Sequence, residues 1–74
     1  MQITNETELG NIIRQRRKKQ GLTIAELSML IPCSSRLLSE MERGKRGVSI
    51  SMALQMLTSL GLEVHIKGRE ETDK

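Results

Sequence analysis

Ser35, Arg36, Ser39 and Glu40 fall close enough together to share the outer face of one helix. An arginine on such a face can donate two parallel hydrogen bonds to guanine O6 and N7. That pairing is worth about 1–3 kcal/mol of discrimination against the wrong base. Serine hydroxyls reach bases or phosphates with little intrinsic preference. A glutamate can accept from a cytosine amine or orient a neighbouring arginine. Arg43, Lys45 and Arg46 follow, interleaved with Gly44 and Gly47, whose missing side chains let the backbone approach a phosphate closely. Base-edge chemistry followed by phosphate chemistry is the arrangement expected of a duplex-DNA reader.

Such groups read DNA only if rigid elements hold them, and the flanking sequence supplies those elements. Thr23 and Glu26 form a capping box, in which hydroxyl and carboxylate each satisfy an orphan amide at a helix start. Ile24, Leu27, Leu30 and Ile31 then recur at helical spacing. Pro32 ends that helix, because its ring removes a donor and biases Ile31 towards an extended backbone. Ser34 or Ser35 caps the next helix, whose inner face is Leu37, Leu38 and Met41. Leu37, if part-exposed, is also placed to meet a thymine methyl. Two short amphipathic helices about so tight a turn make a helix-turn-helix, whose mechanics imply insertion into a major groove.

The rest of the chain must support that pair. Asn5 caps a first helix with Glu8 three residues on, and Leu9, Ile12 and Ile13 face inward. The next inward slots fall on Arg16 and Arg17, a conflict unless a partner is found, and Glu42 is the candidate for Arg17. Gly21 supplies a left-handed cap at the end of this helix. Ser49 caps a fourth helix with Ile50, Ala53, Leu54, Leu57 and Leu60 as its inward stripe, Met52 and Met56 at its edge, and Gly61 at its end. Residues 62–67, Leu-Glu-Val-His-Ile-Lys, alternate apolar and polar in the manner of a half-buried strand. A lone strand in a helical chain lacks a partner, so pairing with the same strand of a second copy is expected. The resulting two-fold homodimer matches a palindromic operator. A tail simply frayed after the last helix is the alternative.

Composition narrows the field further. At 74 residues without Phe, Tyr or Trp, the chain supports one small aliphatic core that gains from oligomerisation. Five methionines give that core, or a partner surface, an adaptable filling. A single Cys and a single His exclude an intramolecular disulfide and a structural zinc site, so no cofactor is expected. Cys33 and His65 form no nucleophile–base constellation, so an enzyme is not expected. The absence of aromatics disfavours single-stranded RNA, which is bound on stacking platforms. No signal peptide or membrane span is visible, so a soluble, cytoplasmic, nucleoid-associated protein is expected, with no membrane partner. The net charge of +3 is unevenly spread: Arg14, Arg16, Arg17, Lys18 and Lys19 cluster at the first helix end, and Arg36, Arg43, Lys45 and Arg46 around the third. Both clusters resemble a phosphate footprint, although Lys18 and Lys19 equally suit a helix C-terminus.

The stretch Gly21-Leu22-Thr23-Ile24-Ala25-Glu26-Leu27, with Ser34-Ser35-Arg36-Leu37-Leu38-Ser39-Glu40-Met41-Glu42-Arg43-Gly44-Lys45-Arg46, resembles the Xre/Cro family of bacterial and phage repressors. The likeness runs over about residues 9 to 61. It implies an all-α, lambda-repressor-like domain of four helices over 1–61. Beyond that likeness, the alternating residues 62–67 are expected as a short C-terminal β-strand for dimerisation and 68–74 as a flexible charged tail. The likeness also implies an ion pair between Arg17 and Glu42. Carried onto this chain, it gives Ser34, Ser35, Arg36, Ser39 and Glu40 as groove-facing residues, and Arg43, Lys45 and Arg46 as backbone contacts. A four-helix domain with a terminal strand is similar to the HipB-type antitoxins. That likeness implies autorepression of an operon and binding of a HipA-like serine/threonine kinase toxin. A stand-alone Xre-type regulator and a protein-interaction module on the same fold are the alternatives. The chain departs from the family in having Ile24 where many members place a phosphate-contacting Gln. It also has Pro32 where the turn usually has Gly, which bears on the angle between the two helices.

Overall fold

A computed structural model describes residues 3–31 and 33–68 of the chain. The helices are α1 (Glu6–Lys19), α2 (Ile24–Leu30), α3 (Ser35–Glu42) and α4 (Ile50–Ser59). Every one of them starts on the cap its sequence provides. Asn5, Thr23, Ser34 and Ser49 each hold extended backbone and accept a hydrogen bond from the amide three residues on. At Thr23 the box is complete, with Glu26 Oε1 accepting from the Thr23 amide at 2.9 Å and the Thr23 hydroxyl from the Glu26 amide at 3.0 Å.

The ends of α1, α3 and α4 share one device. Gly21, Gly44 and Gly61 take positive φ (72°, 85° and 74°) and fold the chain back onto the helix it has just left. At each site the next amide reaches the carbonyl five residues back: Leu22 to Arg17 at 3.1 Å, Lys45 to Glu40 at 3.0 Å and Leu62 to Leu57 at 2.9 Å. The helix α2 ends differently. Ile31 is extended at φ −135° and ψ 150°, as the residue before a proline should be. Pro32 itself lies outside the described residues, and so does the influence expected of it on the α2–α3 angle.

The core is built from Ile13, Leu27, Ile31, Leu38, Met41, Ala53, Met56, Leu57 and Leu60, with Leu9, Leu22, Ile24, Leu37, Val48, Met52 and Leu62 packed around it. Two of the expected stripes need correction. Leu30 is exposed rather than inward, so α2 buries only Leu27 and its cap residue Ile31. On α4 the inward stripe is Ala53, Met56, Leu57 and Leu60; Met56 is fully buried, whereas Ile50 and Leu54 face outward. The observed set keeps the i, i+3, i+4, i+7 spacing of one helix face, rotated by one step from the expected set. An unbranched methionine follows the irregular gap beneath α4 better than a β-branched isoleucine would.

Packing of α1 on α3 depends on a glycine. A Cβ on Gly10 would lie 2.4 Å from the Met41 carbonyl oxygen and 2.7 Å from that of Glu42, so the two helices touch backbone to backbone there. This approach brings Arg17 within reach of Glu42.

Beyond Gly61 the described chain, through Gly68, carries no strand. A strand exists through its ladder, and the single chain forms none over 62–67. Val64 and Ile66 stand exposed on this segment (52% and 94%). The tail expected at 68–74 lies outside the described residues from Arg69 onward.

Candidate nucleic-acid interface

The inner face of α3 is occupied by Leu38, Met41 and Glu42, all buried. Helical geometry then turns Arg36, Ser39, Glu40 and Arg43 to the other side on one stripe, while Ser35, one turn before Leu38, is exposed because it opens the helix. Of the expected groove-facing residues, Arg36, Ser39 and Glu40 therefore share one side of α3, with Ser34 and Ser35 at its start. Not all are equally available. The Ser34 hydroxyl caps α3, accepting from the Leu37 amide at 3.1 Å. The Ser35 hydroxyl lies 3.1 Å from that of Ser28, which itself donates to the Ala25 carbonyl at 2.8 Å, so this pair ties α2 to α3 across the turn. Glu40 Oε1 accepts from Lys45 Nζ at 3.2 Å, which reserves both side chains for each other in the free chain. Arg36, Arg43 and Arg46 are exposed, and among the described residues their guanidinium groups make no hydrogen bond or ion pair.

The loop after α3 is held in place by its own ends. Gly44 is pressed against α1, and a Cβ there would lie 2.8 Å from Thr7 Oγ1 and 2.9 Å from Thr7 Cα. Side-chain bulk and positive φ both exclude other residues at this position. Arg43 and Lys45, on either side, are thereby fixed relative to α1 as well as to α3.

Beneath the interface lies the expected ion pair. Arg17 Nε donates to Glu42 Oε2 at 2.6 Å and Nη2 to Oε1 at 3.0 Å, a two-pronged contact with both residues 8% exposed. Nη1 donates to the Leu22 carbonyl at 2.8 Å, so α1, the α1–α2 turn and α3 are locked at one guanidinium. The hydrogen bond to Glu42 raises the Arg17 pKa above its ordinary value, against the opposing effect of burial. Removing one partner would strand the other at a largely covered site beside a solvent-reachable recess, at a cost of about 3 kcal/mol.

The basic cluster of α1 is smaller than the sequence implies. Arg17 is internal, and Arg16 Nε donates to the Leu60 carbonyl at 3.1 Å, joined there by Gln20 Nε2 at 2.7 Å. Arg16 thus caps the end of α4 instead of facing a phosphate. Arg14, Lys18 and Lys19 remain exposed. Sequence reasoning passed over Ser28 and did not separate Arg14 from its neighbours. The spacing of Arg14, one turn before Arg17 on the same stripe, was the available signal.

Two capped helices meeting at a tight turn, with a polar face on the second and a third helix locked behind them, define a helix-turn-helix domain. The chain belongs to that family: the model of the helix-turn-helix domain matches residues 8–65. A protein of Thermococcus kodakarensis named as an HTH-type transcriptional regulatory protein is 36% identical over 47 residues. That stretch covers 64% of this chain but only 15% of the relative, so the chain spans a small part of that protein's length. Among solved structures, a chain of the HipA–HipB–O2–O3 complex superimposes with a TM-score of 0.83 at 23% identity, covering 95% of this chain and 99% of that one. A chain of the HipB–O4 20mer complex gives the same figures. At this identity the likeness to HipB is one of fold.

Proposed function

We propose that the chain is a sequence-specific repressor that binds a palindromic operator in duplex DNA as a homodimer. The carrying observation is the outward face of α3, which presents Arg36 and Arg43 free of internal partners while Leu38 and Met41 anchor the helix from behind. Two such helices, one per protomer, enter successive major grooves and exclude polymerase from an overlapping promoter. Arg36 reads a guanine, Ser39 and Glu40 adjust the register, and Arg43, Lys45 and Arg46 hold phosphates. Ser34 and Ser35 contribute mainly by fixing the start of α3. Glu40 reaches a base only if Lys45 exchanges its carboxylate for a phosphate, a swap that costs little because the lysine end of the pair is solvent-exposed.

Residues 62–67 form the dimerisation strand in this reading. The support is their alternating pattern and the exposure of Val64 and Ile66, which pairing across a two-fold axis would cover. The division of labour is testable on an operator library. Arg36→Ala should relax specificity at one base step, losing about 1–3 kcal/mol of discrimination there. Lys45→Ala should weaken binding to all sequences alike. Identical behaviour of the two variants would refute the assignment.

A second role, as the autoregulating antitoxin of a HipA-like kinase, is favoured by an apolar groove on the side of α4. It is about 510 Å³ in volume and lined by Leu30, Ile31 and Leu54 with Ser51, Gln55, Thr58 and Ser59. Exposed Leu30, Ile50 and Leu54 are what a partner protein would cover while leaving α3 free for DNA. Co-purification of a kinase from the native host, lost in Leu54→Lys, is the expected result. A partner that binds Leu54→Lys as well as the natural chain would rule this groove out.

A further inference from the structure

Between α1, the start of α2 and α3 lies a recess of about 170 Å³ lined by Arg14, Arg17, Ile24, Ser39, Glu42 and Arg43. It has room for several water molecules, or for the oxygens of one phosphate. Its charges do not balance. Arg17 and Glu42 neutralise each other at 2.6 and 3.0 Å, which leaves Arg14 and Arg43 as the uncompensated groups on its rim. Both are exposed, and neither has a hydrogen bond or ion pair among the described residues. Ser39 is half-buried at the same place, and its hydroxyl also lacks a partner, in contrast to Ser28 and Ser35, which hold each other. Ile24 supplies an apolar wall that excludes water from one side and strengthens whatever charge pairing occurs there.

We infer that Arg14 and Arg43, from α1 and the end of α3, grip a single DNA phosphate between them, with the Ser39 hydroxyl as a third donor. The inference rests on the duplex-binding reading above and adds to it a residue, Arg14, that lies outside the helix-turn-helix. The chemistry is that of two forked guanidinium groups converging on one tetrahedral anion, which suits arginine better than lysine. Because the grip spans α1 and α3, it would set the depth and angle at which α3 enters the groove.

The test is a salt titration of operator binding by Arg14→Gln, Arg43→Gln and the double variant, with circular dichroism confirming the fold of each. One shared phosphate predicts that each single variant weakens binding. The double variant should then flatten the log–log salt slope of the dimer by about 1.8 in total, about 0.9 for the one phosphate neutralised in each half-site. Placing a neutral methylphosphonate at each backbone position in turn should identify one position per half-site where natural-chain binding falls and the double variant is indifferent. A slope change of about 3.6, with two separate sensitive positions in each half-site, would overturn the shared grip. An Arg14→Gln variant that binds like the natural chain would overturn the role of Arg14 while leaving the repressor reading intact. Failure of the natural chain to bind any duplex would overturn both.

Discussion

A buried charge is legible in sequence because it has so few acceptable surroundings. Arg17 falls on the apolar stripe of its helix, and physics requires either a partner or a solvent route, which made Glu42 a specific expectation. The contact found is two-pronged and buried, and it sits directly behind α3. Arg16, one residue away, posed the same problem but found its answer in the Leu60 carbonyl, an acceptor whose position depends on where α4 ends in space. Gly10 carried no such signal, since a glycine within a helix reads only as a weak helix former. Its reason is a backbone approach that exists only once α1 and α3 have packed. Gly10→Ala therefore tests whether packing or propensity decides. Propensity alone would favour alanine by about 1 kcal/mol. With a Cβ lying 2.4 Å from the Met41 carbonyl oxygen, the variant should instead lose about 1–3 kcal/mol in denaturant unfolding. A gain in stability would show that α1 and α3 do not approach as closely as described.

At the scale of elements, starts and stops were legible and faces less so. Caps are local chemistry: a hydroxyl or amide three residues before a free N–H, or a glycine after the last turn. The four helices begin where those signals stand. Faces depend on neighbours, and α4 offers two overlapping apolar stripes, one through Ile50 and Leu54 and one through Met56. Only the surrounding helices decide between them. The strand expected at 62–67 is a non-local element whose ladder requires a second chain.

The caps also carry a pH dependence. The Glu26 carboxyl is held below its ordinary value of 4.5 by the Thr23 amide and hydroxyl. Glu8 is held below it by the Thr4 hydroxyl and amide and, to a smaller extent, by the Asn5 amide. Groups with depressed folded-state values stabilise the fold above their unfolded value, and that contribution disappears as pH falls towards the folded one. Thermal stability should thus decline as pH drops through 4.5 and below, and less steeply in the Glu8→Gln/Glu26→Gln variant. Parallel declines in the two proteins would place the acid sensitivity elsewhere.

At the scale of the whole molecule, the chain has a small aliphatic core and a modest positive charge concentrated by folding. With Arg16 and Arg17 turned inward, the free cations that remain include Arg14, Arg36, Arg43 and Arg46, three of them on α3 or the loop that follows it. Folding thus sorts a diffuse basic composition into structural and interfacial parts, a division the charge count alone could not reveal. Apolar side chains left exposed at Val64, Ile66, Leu30 and Leu54 mark surfaces where further chains would add burial to a core near the lower limit of size. In the proposed dimer, Val64 and Ile66 join two copies so that their α3 faces act together on DNA. The direct measurement is a titration of the pure chain against its own upstream DNA across a range of salt, with stoichiometry from light scattering. Two copies on an inverted repeat with half-sites about one helical turn apart, and affinity falling steeply with salt, is the predicted result. A folded chain that binds no duplex in preference to any other would contradict it, and would make this helix-turn-helix a platform for protein partners instead.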